Sequence, residues 1–367
     1  MADRVLTLRE LNRATLARQM LLARETLLVP AAIERLVGLQ AQSPPSPYLG
    51  LWTRLSSFQR EDLARLIENR TVIKATLMRG TLHLFTAEDF VRFRTTLHPA
   101  LVGAAKAITK NRGGDFDVDK LLKVAQRAFA EKPRTFVEIS DMLTKLLPKQ
   151  DVGAMRYTVR THLPLVQVPV REGWSYPNKP EFALAESWIG QPISREDRVG
   201  ELVLRYLAAF GPASVVDAQT WSGLKLKETF DKLRPKLQVY RDESRRELFD
   251  LPNLSLPDRD VPAPVRFLPE FDNLLLAYSL RTRVLTDQYR SRIFLPGLRV
   301  SASFLVDGFV RGVCKIEKAK DVAALVIEPF EKLNKRDRIE LIGEGEKLIR
   351  FAEANAKSHE VRFAKQT

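Results

Sequence analysis

The 367-residue sequence predicts an α+β fold in which a group of helices followed by a two-stranded ribbon occurs three times, before a β-rich C-terminal segment closed by a helix. Three observations carry this. Apolar residues recur at helical spacing in short blocks, and each group of blocks ends in β-branched runs split by a turn. Beyond a proline-rich stretch at 251–264 the pattern changes to strand-like runs. A chain of this length buries several small cores, and the expected divisions are 1–110, 115–190, 195–252 and 263–357.

In the first group Thr7 is an N-cap for a helix over 7–26, Pro30 suits the first turn of a second, and Ser57 caps a helix over 59–69. Runs at 72–77 and 81–85 around Met78-Arg79-Gly80 make the ribbon. A helix over 89–109 leads to the linker Asn111-Arg112-Gly113-Gly114-Asp115. The second group has helices over 119–131, 136–147 and 150–161, broken at Pro133 and Pro148, then a ribbon from 165–170 and 174–176. The third has helices over 197–210, 214–222 and 225–234, with Gly211-Pro212 and Gly223 as punctuation and a ribbon from 237–240 and 246–249. Helix, turn, helix and ribbon in this order describe a winged helix. Strands at 300–306, 309–316 and 323–327 and a helix over 335–354 complete the expectation.

Lys plus Arg exceed Asp plus Glu by 14, which suits a polyanionic partner because each neutralised phosphate releases condensed counterions. RNA, anionic membranes and plain solubility fit the same charge. No apolar run approaches the ~20 residues of a membrane span, and no signal-like block opens the chain. Cys314 is the lone cysteine, so no internal disulfide forms, and His83, His98, His162 and His359 lack ligand spacing. The expectation is a cytoplasmic, nucleoid-associated monomer without metal or cofactor. The sequence has no HExxH, no phosphate-cradling glycine loop and no Ser/His/Asp set.

The chemistry-bearing stretch is Leu39-Gln40-Ala41-Gln42-Ser43-Pro44. Ile33, Leu36 and Val37 define a helical face on which the next position is Gln40, a polar residue where the pattern asks for an apolar one. The prolines that follow force extended geometry, and with an extended Ala41 the Gln40 and Gln42 amides project from the same side. A buried glutamine tying off a helix end is the alternative. For DNA contact the candidates are Lys74 and Arg79 on the first ribbon, Arg156 and Arg160 on the third helix of the second group, and Lys225, Lys227, Lys232 and Arg234 in the third group, with Arg281 and Arg283 beyond it. Few Asn or Gln accompany them, so they match phosphate positioning better than base reading. His83, a further DNA-contact candidate on the first ribbon, alternates with Leu82 and Leu84 and is expected to face water or a cleft, or to be hydrogen-bonded within the sheet.

Four phrases in order give a resemblance: Leu39 to Pro44, Met78-Arg79-Gly80-Thr81-Leu82-His83-Leu84, Leu268-Pro269-Glu270-Phe271-Asp272-Asn273-Leu274-Leu275, and Phe304-Leu305-Val306-Asp307-Gly308-Phe309-Val310. Together they resemble the bacterial winged-helix DNA glycosylases of the AlkZ group over about residues 7–355. The resemblance implies three tandem winged helices around a basic channel, and a monofunctional glycosylase that excises N7-alkylated purines from double-stranded DNA and unhooks interstrand crosslinks, in repair or genotoxin self-resistance. It places a catalytic Gln-x-Gln motif on Gln40 and Gln42, where the related YcaQ branch has Gln-x-Asp; Ala41 is smaller than the family's apolar middle residue. The alternatives are a non-catalytic winged-helix regulator, although no dimerisation heptad is evident, and an RNA-binding or assembly module.

Overall fold

A computed structural model describes residues 4–112 and 115–364. Helices and strands are mixed throughout, in the order expected of three helix-and-ribbon groups and a β-rich end. Thr7 caps the helix Leu8–Arg18 through a reciprocal capping box with Glu10. That helix is shorter than predicted, because Met20 takes a left-handed backbone and turns the chain away. The helix Val29–Arg35 begins with Pro30, as expected. It stops before the glutamine stretch: Val37 and Gly38 both have positive φ, 51° and 83°. A side chain at Gly38 would stand inside the Phe85 ring, so only glycine fits. Gln40 therefore lies on the strand Leu39–Gln40, and the helical-stripe argument for its position is corrected.

That strand joins the first ribbon, Val72–Thr76 and Leu82–Thr86, which continues into the second group through Ala75 opposite Val166. Six strands form one sheet across the two groups. The second ribbon is Leu165–Gln167 with Glu181–Leu184, not with the expected 174–176. Pro169 has no N–H for a ladder, and 170–175 instead closes a turn in which the Val170 N–H donates to the Ser175 carbonyl at 2.8 Å.

The third group runs Val199–Phe210, Val215–Ser222, Lys227–Leu233 and the ribbon Gln238–Asp242 with Glu247–Asp250. Val5–Leu6 adds a parallel strand to its edge. The C-terminal sheet has the order Arg266–Leu268, Ser303–Val306, Phe309–Ala319, Val322–Pro329, Ser358–Phe363. The helix Lys335–Ala352 packs on it, but a final parallel strand follows, correcting the expectation that a helix ends the fold. The first helix is tied to the third group and the C-terminal domain: the Asn12 side-chain amide donates to the Arg283 and Gly308 carbonyls at 2.7 and 2.8 Å, and Arg18 grips Asp250 of the third group through two bonds at 2.7 and 2.8 Å. Among the described residues no helix is long and apolar enough to cross a membrane.

Candidate active site

Gln40 pairs with His83, His83 with Ala75 and Ala75 with Val166, so this row shares one face of the six-stranded sheet. The neighbouring row, Leu39, Leu84 and Lys74, must project from the opposite face. There it enters an apolar core with Tyr48 and Tyr176.

Gln40 is 6 % exposed, and its carbonyl oxygen accepts a hydrogen bond from Arg79 Nη2 at 2.6 Å. Gln42 is exposed, and its carbonyl oxygen accepts from the Leu82 backbone N–H at 3.0 Å. Both partners can only donate, which fixes each amide with its oxygen inward. The two side chains thus converge on one turn, residues 79–82, and each carbonyl keeps one lone pair.

That turn is wedged between the groups. Met78–Gly80 is a tight 3-10 turn with Arg79 and Gly80 at φ 56° and 70°. The Tyr157 hydroxyl of the second group stands where a Gly80 side chain would be, and donates to the Gly80 carbonyl at 3.4 Å. From the third group the Trp221 carbonyl accepts from Arg79 Nη1. Burial, with Arg281 nearby as the second cause, lowers the Arg79 pKa to about 10, so it remains a cation at neutral pH.

The C-terminal domain supplies the floor. Asn273 Oδ1 accepts from the Gln40 N–H at 3.2 Å, while its amide nitrogen donates to the Gly38 carbonyl at 2.6 Å. Asp272 caps the following turn and binds Arg54 through two bonds at 2.9 and 2.8 Å, in a fully buried ion pair. In the sequence Asp272 and Asn273 stand only as part of the phrase Leu268 to Leu275. Nothing in their spacing tied them to a loop more than two hundred residues earlier.

For His83 the second of the two expectations holds. The ring is buried, not facing water, and its Nδ1 lies 3.0 Å from the Thr81 carbonyl. A carbonyl can only accept, so Nδ1 carries the proton and Nε2 holds a lone pair. Burial first and the Arg79 charge second lower its pKa to about 3, keeping the ring neutral.

Lys74 is also buried, with its ammonium 4.8 Å from the centre of the Tyr176 ring, and burial lowers its pKa to about 8. Arg283 is buried on the Tyr278 ring at 4.1 Å and donates to the Pro212 carbonyl at 3.0 Å. His83, Lys74 and Arg283 are not at the surface, which corrects their reading as DNA contacts. Arg281 is half-buried, donating to the Leu275 carbonyl at 2.7 Å and lying 4.7 Å from the Phe294 ring. Arg160 is half-buried over the Tyr157 ring at 5.1 Å, and Arg156 is exposed one turn away. Lys225, Lys227 and Lys232 are exposed on the third group. Arg234 is exposed as well, but it forms a two-pronged ion pair with Glu247.

Comparison with known proteins defines the class. The family model described as DNA glycosylase AlkZ-like matches residues 33–351. The interstrand DNA cross-link repair glycosylase of Streptomyces sahachiroi is 24% identical over 332 residues, an alignment that spans 81% of this chain and 84% of that protein. The solved structure of the Streptomyces sahachiroi DNA glycosylase AlkZ has a TM-score of 0.81 at 22% identity, covering 98% of this chain and all of that one. The protein is a DNA glycosylase. It belongs to the AlkZ-like family.

Proposed function

We propose that this glycosylase hydrolyses the N-glycosidic bond of cationic N7-alkylated purines in duplex DNA, interstrand crosslinks included, with Gln40 and Gln42 placing the attacking water. The carrying observation is that the two amides meet on one turn with a carbonyl lone pair left on each. The ionisable groups beside Gln40 are poor proton carriers: Arg79 stays a cation and His83, opposite Gln40 in the sheet, is held neutral. An amide does not take a proton at neutral pH, so this set suits a substrate whose base leaves without a general acid, the proton shed when water adds to C1′ passing to bulk solvent. N7 alkylation supplies one, because the base departs as a neutral species. The remaining carbonyl lone pairs accept the two hydrogens of a water and turn its oxygen towards C1′, while the carbonyl dipoles favour the oxocarbenium-like sugar. Placement of this kind contributes ~3 kcal/mol, about a hundredfold in rate. An undamaged, uncharged purine resists so weak a catalyst, which makes the leaving group the source of selectivity. The relative's name, an interstrand cross-link repair glycosylase, supports the crosslink as substrate.

Arg156, Arg160 and Arg281, with Lys225, Lys227 and Lys232, are the cations assigned to phosphates. The enzyme works as a monomer on chromosomal DNA. The test is duplex DNA carrying N7-methylguanine, treated with enzyme and then alkali. Strand breaks at the lesion that disappear in Gln40→Ala and in Gln42→Ala support the assignment. Breaks that persist in both variants remove the amides from the chemistry. Release of the two strands of an N7-linked crosslink on a denaturing gel tests the wider substrate range.

A further inference from the structure

We propose that Arg79 is a positioning residue of the glycosylase, gripping the Gln40 carbonyl so that this amide presents one fixed orientation to the water and sugar, rather than a cation held out to DNA phosphate. The inference rests on the assignment of Gln40 to catalysis.

Arg79 has two ties, and they lead to different parts of the molecule. Nη2 donates to Gln40 Oε1 at 2.6 Å, short for a charge-assisted bond, and Nη1 donates to the Trp221 carbonyl of the third group. A planar guanidinium makes both bonds at once from a fixed fork, which the single ammonium of lysine does not. The terminal torsion of a glutamine is broad and nearly two-fold, so an untethered amide exchanges oxygen for nitrogen. Flipped, Gln40 would offer the water a donor in place of an acceptor. The Asn273 clamp does not prevent this, since it binds the Gln40 backbone and not the side chain. Arg79 is the group that selects the orientation.

The turn is built to hold this arginine. Its backbone lies in the left-handed region, uncommon for a residue with a long side chain. Gly80 beside it is packed against Tyr157, and Gly223 brings the start of the next loop against the Arg79 backbone, within 3.6 Å of its nitrogen for a side chain placed there. A phosphate contact would have to break two existing bonds and draw the guanidinium out from between three parts of the fold. Arg156, which is exposed, needs no such rearrangement.

Single-turnover excision of N7-methylguanine, measured with equilibrium binding of the same duplex over a range of salt, separates the two roles. Arg79→Met is expected to slow excision by about ten- to a hundredfold, with the dissociation constant and its salt slope unchanged. Added to Gln40→Ala it should cause no further loss, because the group it orients is gone. Arg79→Lys keeps the charge and loses the fork, so it should recover part of the rate; it also carries the test if Arg79→Met does not fold. Excision at the parental rate by Arg79→Lys, a loss that multiplies with that of Gln40→Ala, or a salt slope reduced by about one unit with the rate at saturation intact would overturn the proposal. If Gln40→Ala itself excises at the parental rate, the assignment of Gln40 has failed, an outcome distinguishable from failure of the role of Arg79 alone.

Discussion

The ribbons of the first and third groups follow the same order of elements but differ in their surroundings. Val72–Thr76 and Leu82–Thr86 have strands on both flanks, and their turn is pressed between the second and third groups. Gln238–Asp242 and Glu247–Asp250 are flanked by the two-residue strand Val5–Leu6 on one edge and by a single bridge from Phe249 to Ala213 on the other, and their turn lies in solvent. The same supersecondary unit has its turn enclosed by neighbours in one place and open to solvent in the other. What distinguishes them is what closes on each turn: neighbouring groups hold Arg79 and Gly80 in the first, whereas residues 243–245 of the third are exposed and the buried polar group of that ribbon, Asp250, lies at its base against Arg18.

The largest test of this contrast is an ion pair from each region. Removing one partner of the buried pair behind the first ribbon, by Asp272→Ala or Arg54→Ala, should cost about 3–5 kcal/mol, read as a lower Tm and denaturant midpoint. Arg234→Ala, which breaks the Arg234–Glu247 pair on the third ribbon, should cost under about 1 kcal/mol. Equal effects would erase the distinction. Next is Asn273→Ala, which strips the Gly38 carbonyl and Gln40 N–H of their buried partner, a loss of about 1–3 kcal/mol. Excision should fall in this variant even at temperatures well below its melting point. A full rate there would mean that the loop holds its shape unaided.

A smaller effect concerns pH. The folded pKa of His83, about 3, lies below its ordinary 6.5, so the unfolded chain binds more protons between these values. Its contribution to stability is therefore complete above pH 6.5 and is lost as pH falls towards 3. His83→Gln should flatten that part of the stability profile. For the same reason excision between pH 7 and 8 should show no titration from this ring; an inflection there that vanishes in His83→Gln would contradict its neutral, buried state. The smallest change is expected at the surface: Arg156→Ala should lower the salt slope of DNA binding by about one unit while excision at saturating enzyme is unchanged.

Much of the frame could be read from periodicity and punctuation. The helices Val118–Glu131, Phe136–Leu146 and Val199–Phe210 and the first ribbon fall within a residue or two of their expected places, because capping residues, prolines and alternation are local signals. Ser358–Phe363 was not expected, since a parallel edge strand depends on a partner far along the chain. The extended glutamine stretch was legible through its prolines; the turn at Val37 and Gly38 that makes it extended was not, because it depends on the Phe85 ring. Lys74 and Arg283 read as surface cations since charge usually faces water. The Tyr176 ring beside Lys74 comes from the second group, and Arg283 meets Tyr278, five positions earlier, only because the intervening turn folds it back. The links of Arg79 to Gln40 and Trp221 likewise span 39 and 142 positions, beyond any local pattern.

The clamp from Asp272 and Asn273 also bears on how this enzyme can be shortened or recombined. A fragment ending before residue 265 would retain every helix-and-ribbon group and both glutamines, yet Gly38 and Gln40 would lose the amide that fastens them and Arg54 its carboxylate. Exchanging the front half between homologues therefore requires the matching back half. In this protein the portable unit is the whole chain.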